Sequence, residues 1–73
     1  MRLAEIFGAN VRSVRLQRGM TLETLATEAD LAYSYMGGIE RGQRNPSLSV
    51  MEQISSVLES DLHTLLRPMV SDR

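Results

Sequence analysis

Thr21 to Arg41, TLETLATEADLAYSYMGGIER, is the stretch whose reading decides the fold. Its apolar residues fall into two short helical patterns. Leu22, Leu25, Ala26 and Ala29 form the first; Tyr35, Met36 and Ile39 form the second. A break at Asp30-Leu31 separates them. Helices this short are not stable alone, because few hydrogen bonds offset a costly nucleus. Each must pack on the other and on a third element.

Local chemistry places the boundaries. Thr21 is the expected N-cap of the first helix, with Glu23 favourably set in its first turn. Ala26 and Ala29 are small, as a close helix crossing requires. Asp30 stands in the turn, where positive φ is often needed and Asp tolerates it better than most. The second helix reads from about Ala32 to Arg41, with Met36 and Ile39 inward and Tyr33, Ser34, Gly37 and Gly38 facing elsewhere. Two adjacent helical glycines cost about 2 kcal/mol by propensity. Two readings are open: a surface where nothing packs, or one where another backbone comes close.

Upstream, Leu3, Ile6, Phe7, Val11 and Val14 predict a helix over 3–18, stopped by Gly19. Gly8 is unfavourable within it unless a neighbour approaches closely. Arg15 lies near the inward side, where a buried Arg needs a carboxylate; Glu40 is the expected partner. Downstream, Gly42 ends the motif and 43–46 is a loop. A fourth helix reads over 48–59, capped by Ser47 or by a competing Ser49–Glu52 box, with Leu48, Met51, Ile54 and Leu58 in line. Asp61 caps a last short helix over 62–66, ended by Pro68. The expected fold is all-α, one domain over 1–73 with its helix-turn-helix motif at about 21–41.

Seventy-three residues make one small domain. Such a domain buries only about 60% of its unfolded surface, so a partner chain helps stability. There is no cysteine, no apolar run of membrane-spanning length and no signal peptide, so the expected location is cytoplasmic. The net charge is −1, which argues against a generic nucleic-acid binder. The charge is segregated, however. All eight basic residues are Arg. Arg12, Arg15 and Arg18 form one acid-free run, and Arg41 and Arg44 another. Such runs read either as a basic contact surface or as a solvated face.

Helix, tight turn, helix is the shape that can place its second helix in a DNA major groove. At this point the residues carry a family likeness. The chain resembles the Cro/phage-repressor, or Xre-like, class of helix-turn-helix DNA-binding domains. The matching residues are Phe7-Gly8, Val11, Val14-Arg15, Gly19-Met20-Thr21, Leu25-Ala26, Ala29, Leu31, Ser34-Tyr35-Met36, Ile39-Glu40-Arg41-Gly42, Arg44-Asn45-Pro46-Ser47-Leu48, Ile54, Leu58, Asp61-Leu62 and Leu65. The likeness runs over residues 3 to 66, and IERGQRNPS after an LA-x-x-A pattern is its most specific part. The single-domain form is similar to restriction–modification controller proteins and small phage repressors.

The resemblance implies a compact five-helix lambda-repressor-like helix-turn-helix domain whose second motif helix is the recognition helix. It implies that Arg15 and Glu40 form a buried bridge. It places Ala32, Tyr33, Ser34, Gly37 and Gly38 toward base edges, and Thr21, Leu22, Arg41, Arg44 and Asn45 near phosphates. Relatives commonly carry Gln at the position of Leu22, and often Gly at those of Asp30 and Glu59. The base-facing set has no Arg, Lys, Asn or Gln, the main direct readers of bases. Modest direct readout and a larger share for phosphate contacts and DNA shape follow.

The expected function is sequence-specific transcriptional regulation, with double-stranded DNA bound as a homodimer. Val50, Val57, Leu66, Met69 and Val70 exceed what one core face needs, and read as core and tail or, preferentially, as the dimer interface. No nucleophile–base constellation or glycine-rich phosphate loop stands out, so no enzyme activity, cofactor, metal or small-molecule ligand is expected. The lone His63 reads as surface. The alternative is a protein-interaction module on the same scaffold without DNA binding.

Overall fold

The computed structural model describes residues 2–68. They form five helices: α1 (Arg2–Gln17), α2 (Leu22–Glu28), α3 (Tyr33–Glu40), α4 (Leu48–Leu58) and α5 (Leu62–Leu65). No strand occurs among the described residues. None of the helices is long and apolar enough to cross a membrane.

One device ends each of the first four helices. A residue with positive φ follows the last turn: Gly19 (69°), Asp30 (60°), Gly42 (74°) and Glu59 (55°). The next amide then reaches back to a carbonyl five residues earlier: Met20 to Arg15, Leu31 to Ala26, Gln43 to Gly38 and Ser60 to Ser55, at 2.9–3.1 Å. This is the Schellman closure, which satisfies carbonyls the helix end leaves free. Glycine is the usual residue at the left-handed position; here two of the four are acids. At the helix starts, Thr21 and Ser47 cap as expected, their hydroxyls accepting from the Thr24 and Val50 amides. The Ser49–Glu52 box is not used, because Ser47 already satisfies that turn. Asp61 precedes α5 in extended backbone but makes no capping hydrogen bond.

The core joins all five helices. Phe7 and Val11 of α1, Leu25 and Ala26 of α2, Met36 and Ile39 of α3, Ile54 and Leu58 of α4 and Leu65 of α5 are almost fully buried. Two apolar residues depart from their expected place. Leu48 is 66% exposed and Leu3 42%. Both lie in first turns, beyond the reach of the core that holds Ile54, Leu58, Phe7 and Val11.

Gly8 marks where α1 and α3 touch. A methyl group at Gly8 would overlap the Ile39 carbonyl oxygen and stand 2.8 Å from the Glu40 carbonyl oxygen. The two backbones are in direct contact, which offsets the poor helix propensity of glycine there. Two side-chain amides tie the remaining helices. Asn10, buried, donates to the carbonyls of Leu65 (2.8 Å) and Arg67 (2.6 Å), joining α1 to the end of α5. Gln53 of α4 donates to the Ala29 carbonyl at the end of α2, 2.9 Å away.

Candidate nucleic-acid interface

The interface candidate comprises the start of α2, the outer side of α3 and the loop over 41–47. Its position is fixed from behind. Arg15 of α1 forks onto Glu40, the last residue of α3: Nε donates to Oε2 at 2.7 Å and Nη2 to Oε1 at 3.0 Å. Nη1 donates to the Met20 carbonyl at 2.9 Å. The side chains are only 10% and 5% exposed. Burial disfavours the charge, but the hydrogen bonds to Glu40 outweigh it and raise the guanidinium pKa above its ordinary value. A two-pronged, buried fork of this kind fixes orientation as well as distance. It locks the backbone immediately before Arg41, where the basic loop begins.

The predicted site residues divide into three groups. Ala32, Tyr33 and Ser34, at the start of α3, are exposed, Tyr33 to 60%. Tyr33 shares a shallow cleft with Thr21, Leu22 and Glu23, so the starts of α2 and α3 form one surface. Thr21 Oγ1 accepts from the Thr24 amide at 3.0 Å and donates to Thr24 Oγ1 at 2.9 Å. Its proton is thus already engaged within α2.

The second group departs from expectation. Gly37 and Gly38 are buried, not open. Their cover comes from the loop that follows them. A methyl at Gly37 would lie 3.1 Å from Arg41 Nη1 and 3.5 Å from Leu22 Cδ2. A methyl at Gly38 would lie 2.7 Å from Arg44 Cγ and 3.4 Å from its Cδ. The close approach signalled by the glycine pair is made by this chain's own arginines. The Arg44 guanidinium sits 5.0 Å over the centre of the Tyr35 ring, a cation–π distance. Arg41 Nε donates to Gln43 Oε1 at 3.1 Å. Both arginines are nevertheless exposed overall: the stem of Arg44 covers Gly38, whereas the charged end of Arg41 lies over Gly37.

The third group lies apart. Asn45 is exposed but lines a different depression, with Leu3, Ala4, Phe7, Pro46, Met51 and Leu66. Among the proposed dimer residues, Val50, Val57 and Leu66 are half-buried against this chain's own core; Met69 and Val70 lie outside the described residues. No group of three or more His, Cys, Asp or Glu is gathered to hold a metal ion among the described residues. His63 is exposed.

Sequence reasoning passed over three residues that tie the structure together: Asn10, which joins α1 to the end of α5, Gln43, which accepts from Arg41, and Gln53, which holds the end of α2. Asn10 carried a signal, being a polar residue on the apolar stripe of Phe7, Val11 and Val14. Gln43 and Gln53 carried none, since both occupy positions where any polar residue is ordinary.

A family model described as helix-turn-helix matches residues 11–65. SinR of Bacillus subtilis, an HTH-type transcriptional regulator, is 40% identical over 62 residues, covering 84% of this chain and 56% of that protein. This chain thus spans little more than half of SinR's length. The structure of the restriction–modification controller protein C.AhdI from Aeromonas hydrophila superposes with a TM-score of 0.84 at 37% identity, covering 89% of this chain and 98% of that one. A crystal structure of SinR in complex with DNA superposes with a TM-score of 0.79 at 39% identity, covering 84% and 98%.

Proposed function

We infer the function from one premise: this chain belongs to the helix-turn-helix family. It acts as a sequence-specific transcriptional regulator on double-stranded operator DNA, with α3 in the major groove. The observation that carries this reading is the two-sidedness of α3. Met36 and Ile39 face inward at 0% exposure and Glu40 is locked to Arg15, while Ala32, Tyr33 and Ser34 stand outward beside Arg41 and Arg44. A helix held rigidly from behind, with polar groups in front and cations at its end, suits groove entry with phosphate anchoring. The relatives named above support it: one is a transcriptional regulator, one a restriction–modification controller, and SinR has been crystallised with DNA.

Thr21, Arg41, Arg44 and Asn45 meet phosphates in this reading. Ala32, Tyr33 and Ser34 meet base edges, with Gly37 and Gly38 behind the arginines. Readout is sparse, since only Tyr33 and Ser34 offer polar reach. The chain works as a homodimer, because one such motif reads only a few base pairs and symmetric half-sites lie about one helical turn apart. Val50, Val57 and Leu66 are the interface residues this reading assigns among those described, and it assigns no cofactor and no enzymatic role.

Selection of bound duplexes from random DNA tests the reading. The expected result is enrichment of an inverted repeat with half-sites about 34 Å apart. Recovery of unenriched DNA overturns it in favour of a protein-interaction module.

A further inference from the structure

Gly37 and Gly38 weaken α3 by propensity, yet neither faces open space. What covers them differs between the two. Over Gly37 lies the far end of Arg41, which can move aside. Over Gly38 lies the stem of Arg44, with Cγ only 2.7 Å from where a methyl would stand. The same Arg44 continues to a guanidinium 5.0 Å above the Tyr35 ring. Tyr35 is half-buried against the core, so its ring is held in place. Arg44 is thus constrained at both ends of its side chain by residues of one helix.

We propose that Gly38 and Tyr35 form a seat on α3 that pre-orders Arg44 for DNA, Gly38 admitting the stem and Tyr35 holding the charged end. This rests on the DNA-binding reading above. A free arginine on a loop loses rotamer freedom when it binds a phosphate; a seated one has lost much of it already. The glycine at 38 is therefore a positioning residue, and its poor helix propensity is offset in function, not in stability. Tyr35 acts likewise through Arg44.

Two measurements test the seat. The first needs no DNA. In the NMR spectrum of the free protein, the Arg44 side-chain protons stand upfield of ordinary arginine values, shifted by the Tyr35 ring, and Gly38→Ala returns them toward those values. Ordinary Arg44 shifts in the unsubstituted protein overturn the proposal. The second uses a duplex recovered by selection. Gly38→Ala weakens binding about two- to tenfold, the equivalent of ordering one long side chain on binding. Its thermal midpoint holds or rises, because Ala outranks Gly in a helix. In an Arg44→Ala background the same substitution costs nothing further. An equal loss from Gly38→Ala in both backgrounds overturns the seat, since the added methyl would then meet the DNA itself. If no duplex is bound, the DNA reading falls and the NMR experiment still decides the seat.

Discussion

Arg15 and Glu40 do more for this surface than any residue upon it. Neither touches solvent appreciably, and together they join helix 1 to the last residue of the recognition helix. Removing one partner leaves a buried charge unpaired, which costs about 3–5 kcal/mol. A domain of this size has only about 4–11 kcal/mol in total. Glu40→Ala is therefore expected to lower the urea midpoint severely, and an unchanged midpoint would mean that the fork contributes nothing. The pairing was legible in the sequence, because an Arg on an inward helical face must find a carboxylate and Glu40 follows the inward Ile39. The cover over Gly37 and Gly38 was not. Propensity marks two glycines as costly but does not say what approaches them. The answer lay in rotamers of Arg41 and Arg44, which no periodicity encodes.

At the scale of elements, the decisive contact is the crossing of α1 and α3 at Gly8. Here the backbones meet, and no flexible side chain can yield. Gly8→Ala is expected to destabilise the domain by about 1–3 kcal/mol despite its helix-propensity gain, because overpacking of a rigid contact exceeds that gain. Thermal unfolding measures it, as a fall of about 4–8 °C for each kcal/mol. A rise in midpoint would place α1 further from α3 than described. Gly8 and Gly38 thus separate two uses of glycine: one lets helices touch, the other admits an arginine. The helix boundaries were legible to within about a residue, since Thr21, Ser47, Gly19 and Gly42 are strong local signals. Glu59 in a left-handed cap was not marked by its own chemistry. Leu48 was assigned inward by spacing alone, yet α4 has not reached the core at its first residue.

Across the whole molecule, a net charge of −1 coexists with a candidate DNA surface. The two are compatible because charge is arranged, not averaged. Arg41 and Arg44 stand beyond the end of α3; Glu28 lies in a separate depression on α2 with Thr24 and Thr27, and Glu23 borders both that depression and the cleft of Thr21 and Tyr33. On the proposed DNA-binding reading, direct base readout is modest and phosphate contacts and DNA shape carry the larger share. The paired helices α2 and α3 and the turn between them were readable from one stretch of twenty-one residues. The operator was not, since a recognition helix with few base-reading groups encodes little sequence.

The central claim is that this face binds DNA through Arg41 and Arg44. The salt dependence of binding to a selected duplex tests it most directly. Two arginines, each displacing a condensed counterion, give a slope of log Kobs against log salt of about −1.8 per protomer, and Arg44→Ala should flatten it by about 0.9 per protomer. That flattening, with a similar loss on every duplex tested, is the predicted result. A slope near zero, or one that Arg44→Ala leaves unchanged, would contradict the account.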